Sequence, residues 1–264
     1  MITKPNLFII TSALHVDGPG INNLETRLYQ TISTVNSIKA NVKNAEIWIL
    51  DASQSILDQS VYNMFPKDVN FFKLNFIFQD EISKIKEDAI LIAKEFINLY
   101  ATADGKTNIY DVVFNAYIKS KTEAFMLNKF FKHIDTDMSL INRIYKISGR
   151  YLISDKFDQT PHDTAINKAS FKEKHLASSH LTELEYQHMC MFWSIDASIF
   201  EEFKKVLIDI EQWIDDNYIN KKQVVDLEHA FYKFLKSNQI NIKEIETLGV
   251  MGLVNNEQQS FFNG

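Results

Sequence analysis

Two stretches, Asn6-Leu-Phe-Ile-Ile-Thr11 and Glu46-Ile-Trp-Ile-Leu-Asp51, decide the fold class. Each is a short apolar run rich in strand formers, which fits a strand covered on both faces. Between them, Asn23 to Lys39 sets Leu24, Leu28, Ile32, Val35 and Ile38 along one helical face. Beyond them, Ser53 to Met64 reads as a second helix closed by Pro66, and Asn70 to Phe78 as a third strand. Strand, helix, strand, helix, strand is the signature of βαβ units and a parallel sheet. Ligands of open α/β sheets bind beyond the carboxyl ends of the strands. Thr11, Ser12 and Asp51 then border one crevice, with the segment His15-Val-Asp-Gly-Pro-Gly20 as a loop beside it.

Outward from this core, Glu81 to Tyr100 and Val112 to Phe131 read as helices separated by a polar break at Thr102 to Thr107. Arg143 to Ser148 reads as a strand running into Gly149-Arg150-Tyr151. Residues 155–180 are polar and suit a long surface excursion. Met189 to Ile195 reads as a strand, and Ala197 to Tyr218 and Val224 to Ser237 as helices. No internal repeat or low-complexity segment is evident.

The 264 residues are 45% hydrophobic and 23% charged, with 20 Phe, a composition that excludes a disordered chain. Cys190 has no partner for a disulfide, and its setting, Met189-Cys-Met-Phe-Trp193, suggests core. The net charge of −6, without any basic tract, lacks the concentrated basic face of a nucleic-acid grip. No stretch approaches a membrane span or a signal h-region, so the expectation is a soluble, cytoplasmic protein. The histidines show no zinc-like spacing, and G-x-G-x-x-G and Walker A patterns are absent.

Lys146-Ile-Ser-Gly-Arg-Tyr-Leu-Ile153 is the most distinctive segment. A glycine between Ser148 and Arg150 at a strand end lets backbone approach a ligand closely. Arginine offers a planar fork matched to phosphate or carboxylate oxygens, and Tyr151 could stack on a base or sugar. The plainer reading is a bulged strand with an exposed Arg150 paired to a surface carboxylate. Only three of the 28 basic residues are arginine (Arg27, Arg143 and Arg150), which weighs towards function.

Several blocks together resemble a family of glycosyltransferases of bacteria and large DNA viruses with a GT-A-like fold. They are Arg27 to Ile38, Asn44 to Ser53, Lys146 to Tyr151 with Asp155-Lys-Phe-Asp158, and Val225 to Tyr232 with Leu248-Gly-Val-Met-Gly252. The blocks are short but fall in the family's order from residue 6 to about residue 255. The resemblance implies a Rossmann-type, mostly parallel sheet with a helical C-terminal part, forming one domain over 1–264. Residues 1–155 would be its nucleotide-sugar half and 156–264 its acceptor half. It also implies transfer of a sugar from a nucleoside diphosphate to a glycan or other hydroxyl acceptor.

On that resemblance, Thr11, Ser12 and Asp51 lie on the nucleotide side, and Lys146, Ser148, Gly149, Arg150 and Tyr151 at the diphosphate and donor sugar. Metal-dependent enzymes of this fold commonly carry Asp-x-Asp at a strand end. Asp135-Thr-Asp137 fits that pattern, but it precedes the strand at 143–148 and reads as a loop and cap pair. A Mn or Mg ion is therefore not expected to be required; Arg150, with Lys146, would neutralise the diphosphate, and Asp155 and Asp158 are fallback ligands. Glu228 and His229 are the candidate bases towards the acceptor. The alternative is a non-catalytic α/β binding or assembly module that keeps the fold. Oligomeric state is open.

Overall fold

The structure is a computed structural model in which residues 4–15, 23–53, 55–100, 106–178 and 184–252 are described. In its first half, β1 (Asn6–Ser12), α1 (Leu24–Asn41), β2 (Ala45–Asp51), α2 (Gln59–Tyr62), β3 (Val69–Lys73) and α3 (Leu74–Ile77) follow one another. They lead into the long helices α4 (Gln79–Tyr100) and α5 (Lys106–His133), then β4 (Arg143–Ser148) and β5 (Tyr151–Ile153). Next come α6 (Thr160–Asp163), β6 (Ala169–Lys172), β7 (His175–Ser178), β8 (Leu184–Gln187) and β9 (Phe192–Asp196). The last elements are α7 (Phe200–Asp215), α8 (Leu227–Ser237), β10 (Ile242–Ile245) and β11 (Val250–Gly252).

Among the described residues, seven strands form one sheet in the order β10-β6-β9-β4-β1-β2-β3. β1 pairs in parallel with β2 and β4, β2 with β3, and β10 with β6; β9 runs antiparallel to its neighbours β4 and β6. The chain is thus an α/β protein with a mostly parallel central sheet flanked by helices. Strands alternate their side chains between the two faces. Leu7 and Ile9 of β1 join a core with α4, α5, α7 and α8, whereas Phe8 and Ile10 join one with α1 and the residues around α2. Every residue of β1 from Asn6 to Thr11 is buried, as a strand covered on both faces requires.

Local chemistry explains the element ends. The Asn23 side chain accepts from Thr26 N at 2.8 Å and caps α1, and Asp226 does the same for α8 through His229 N at 2.9 Å. Asp137 Oδ1 accepts from Ser139 N at 2.9 Å, so it caps a short turn, as its place in the sequence suggests. Gly249 has φ +65° and an added Cβ would lie 2.5 Å from Phe157 Cα, which only glycine avoids.

Some boundaries differ from the sequence reading. The expected helix over Ser53 to Met64 is a single turn, α2, capped by Asp58. The strand expected to reach Phe78 stops at Lys73, where β2 also ends at Asp51; with no neighbour left to pair with, the chain turns into α3 and exposes Phe76 and Ile77. α5 begins at Lys106, six residues before Val112. The 155–180 segment is not only a surface excursion: β6 within it is buried between β9 and β10. No described helix is long and apolar enough to cross a membrane.

Candidate functional site

The sheet order reverses between β1 and β4: from β1 the chain adds β2 and β3 on one side, then returns to place β4 on the other. A crevice opens at the carboxyl ends of strands at such a switch point. A cleft of about 850 Å³ lies there, lined by Thr11, Ser12 and Ala13 at the end of β1 and by Ser148, Gly149, Arg150 and Tyr151 after β4. α4 and α5 wall it opposite the strand ends, and Met189, Cys190, Met191 and Glu228 close it on the side of β9 and α8. Seven of the ten residues singled out from the sequence for donor and acceptor contacts, namely Thr11, Ser12, Ser148, Gly149, Arg150, Tyr151 and Glu228, therefore meet in one cavity.

The cleft has a cationic mouth. Arg150 is exposed, and its charge acts on both Arg27 and Lys119, which also line the cavity. Burial, and then the neighbouring Arg150 guanidinium, push Arg27 below its ordinary value. Arg27 Nη1 donates to Ala13 O at 3.1 Å, while its buried Nε has no hydrogen-bond partner among the described residues. Like charges gathered around a cleft repel one another, and an anion bound between them relieves that repulsion. Gly149 is there for packing: an added Cβ would sit 3.0 Å from Thr31 Oγ1 and 3.1 Å from Ser12 Oγ. Those two hydroxyls are bonded at 2.9 Å, so glycine is what lets the β4 end press against β1 and α1. In the β5–β11 ribbon, an added Cβ at Gly252 of β11 would lie 3.0 Å from Tyr151 Cε1, so glycine lets β11 pack directly on the Tyr151 ring of β5.

Glu228 begins the first turn of α8 and is 18% exposed. Burial raises its carboxyl above the usual range, Lys119 Nζ at 3.9 Å from Oε1 opposes this, and Asp226 and Glu123 add to the rise. A carboxyl displaced towards neutrality and facing a cavity suits proton transfer. The adjacent His229 is turned away: Nδ1 bonds Asp226 Oδ1 at 2.7 Å and Nε2 lies 3.2 Å from Ala177 O, and it lines no part of the cleft. Asp226 holds its imidazolium form, raising it.

Two further charged residues turn inward. Asp51 is 2% exposed; its Oδ1 accepts from Leu14 N, Ser53 N and Ser53 Oγ, and its Oδ2 from Tyr62 OH at 3.0 Å. With both oxygens engaged it shapes the loops after β1 and β2, and it does not line the cleft. Lys146 is fully buried beneath the cleft, donating to Cys190 O at 2.5 Å and Ser148 Oγ at 3.1 Å and ion-paired with Glu123. Neither residue is placed to meet a ligand directly.

The fallback metal ligands do not fit a bridging ion. Asp155 and Asp158 are exposed outside the cleft, and Asp158 Oδ1 accepts from Thr160 N at 2.9 Å. No group of three or more potential ligands occurs among the described residues. The carboxylates that do line the cleft, Glu123 and Glu228, each face a lysine instead. Of the 15–20 loop, only His15 is described: its N donates to Ser53 Oγ at 2.9 Å; the rest lies outside the described residues.

Sequence reading missed what α5 contributes. Asn115, Lys119, Thr122 and Glu123 line the cleft together with Ile118 and Met126. Their i, i+4, i+7 and i+8 spacing marks one helical face. That clustering of polar residues on one helical face was the available signal. No family model matches the chain, and no curated protein matches it.

Proposed function

We propose that the protein is a GT-A-like glycosyltransferase that takes a nucleoside diphosphate sugar as donor and a hydroxyl group as acceptor. The observation that carries this reading is the cleft at the β1/β4 switch point, where Arg27, Lys119 and Arg150 converge beside a carboxyl raised towards neutrality, that of Glu228. The arrangement meets the two demands of the reaction. A departing diphosphate needs positive charge, and Arg150 and Arg27 supply it with planar forks. An acceptor hydroxyl needs a base within reach of its proton, and Glu228 is the carboxyl that faces the cavity. In the transfer, the acceptor oxygen bonds to the anomeric carbon as the bond to the diphosphate oxygen breaks. The hydroxyl proton passes to Glu228, and the diphosphate leaves as an anion held by the arginines. The base of the nucleotide would occupy the apolar end of the cleft, between Ala52, Ile56 and Ile82, near Ser55 and Asn75.

A thermal-shift panel of UDP-, GDP-, dTDP- and CMP-sugars, each with Mn²⁺ or with EDTA, tests donor and metal together. At least one nucleotide is expected to raise the melting temperature, and to do so in EDTA. A panel without any shift would overturn the reading. Binding without turnover on any hydroxyl acceptor, or by hydrolysis, would leave the non-catalytic module in its place.

A further inference from the structure

The cleft is electrostatically divided. The exposed Arg150, with Arg27, makes its lining positive, whereas the less exposed Glu123 and Glu228 add two carboxylates to it, with Lys119 beside Glu228. Glu123 is fixed in place: Oε1 is buried against Lys146, whose remaining polar contacts are Cys190 O and Ser148 Oγ. Its Oε2 has no hydrogen-bond partner among the described residues, and the side chain keeps 15% exposure where it lines the cavity. This oxygen is left as an open acceptor on a side chain that lines the cavity. Thr122 and Asn115, from the same face of α5, add further hydrogen-bonding groups there. Lys119 is engaged by Glu228, and Lys86 of α4 also lines the cavity.

We infer that the transferred group is a neutral or amino sugar whose hydroxyls donate to Glu123, and that acidic sugars are rejected. This deepens the glycosyltransferase reading and rests on it. A hexose offers several O–H donors, and a charged acceptor roughly doubles the strength of each such bond. A uronate places a carboxylate among Glu123 and Glu228, and a like-charge juxtaposition of this kind is strongly unfavourable. The nearby cationic groups are engaged: Lys146 with Glu123, Lys119 with Glu228, and Arg27 and Arg150 with the diphosphate. Glu123 is thus a specificity-determining residue, and Lys146 a positioning residue that acts through it.

The experiment uses matched pairs that share one diphosphate: UDP-glucose against UDP-glucuronate, and GDP-mannose against GDP-mannuronate. Binding to the full chain is followed by calorimetry. The hexose conjugate is expected to bind at least as tightly as the bare diphosphate, and the hexuronate about tenfold more weakly than the hexose or worse. Glu123→Gln should bring the two within a few-fold of each other. Because Glu123→Gln also leaves Lys146 without its carboxylate, Glu228→Gln serves as a second variant and should narrow the same gap. Equal or tighter binding of the hexuronate by the unaltered protein overturns the inference while leaving the transferase reading intact. Failure of every diphosphate to bind overturns both.

Discussion

Lys146 Nζ and Glu123 Oε1 form an ion pair under the floor of the cleft, where Lys146 is fully buried and Glu123 is 15% exposed. The pair joins β4 to α5, so the strand that ends in Ser148-Gly149-Arg150 and the helix that supplies Lys119 are fixed against each other. Removing one partner of a buried pair strands the other charge at about 3–5 kcal/mol, far more than the pair itself contributes. Lys146→Met should therefore lower stability by about 3 kcal/mol in urea unfolding, the lower end because Glu123 keeps some solvent. Lys146→Met combined with Glu123→Leu should recover much of the loss, which a double-mutant cycle reads directly.

Arg143, the third arginine, is 1% exposed and donates to Ser194 Oγ, Ala165 O, Lys168 O and Ser170 Oγ at 2.7 to 3.1 Å. It ties β4 to β9, β6 and the turn after α6. Lysine cannot reproduce a planar fork with four partners. Arg143→Lys should lose about 2–4 kcal/mol in the same unfolding assay, with the affinity of the folded protein for nucleotide retained.

His162 shares Ser194 with Arg143, its Nδ1 lying 2.8 Å from Ser194 Oγ. Ser194 Oγ accepts from Arg143 Nε, and its hydroxyl proton is then available for Nδ1 of a neutral His162. Burial, and then Arg143, lower its pKa from 6.5 to about 3. The unfolded chain binds the proton first, so this stability is complete above about pH 6.5 and is lost as pH falls towards 3. The slope from this residue approaches roughly 1.4 kcal/mol per pH unit in that window. Unfolding titrations at pH 7, 5.5 and 4.5 should show the decline, and His162→Phe should flatten it.

The parallel βαβ arrangement and the crevice at its strand ends were legible because β1 and β2 are near-continuous apolar runs, as strands covered on both faces show. β6 was not. Ala169-Ser-Phe-Lys172 is four residues long and half polar, and its burial comes from β9 and β10 rather than from its own composition. Ser148 and Arg150 were found beside a glycine at a strand end, and Glu228 as half of an adjacent Glu-His pair on a helix. Asp51 and Lys146 have the same sequence character, yet internal partners consume their charges, which only the packed structure reveals. Lys119 and Glu123 were read only as part of a helix, and the packed structure shows that they wall the cavity.

Transfer by Glu228 should carry the pH signature of its environment. Burial raises its pKa, so the base form accumulates only above the ordinary carboxylate range. The rate of sugar transfer should rise with pH along an acidic limb displaced upward from pH 4.5. Glu228→Gln should remove both the limb and the activity, at a loss of about 10²-fold or more in kcat, while nucleotide binding persists.

Calorimetric titration of nucleoside diphosphates into the wild-type protein and into Arg150→Ala bears most directly on the anion-binding role of the β1/β4 cleft. Wild type is expected to bind at least one diphosphate, and Arg150→Ala to bind it about tenfold more weakly or worse, a difference of about 1.4 kcal/mol. The absence of binding to any diphosphate, or equal affinity in the two proteins, would contradict the account.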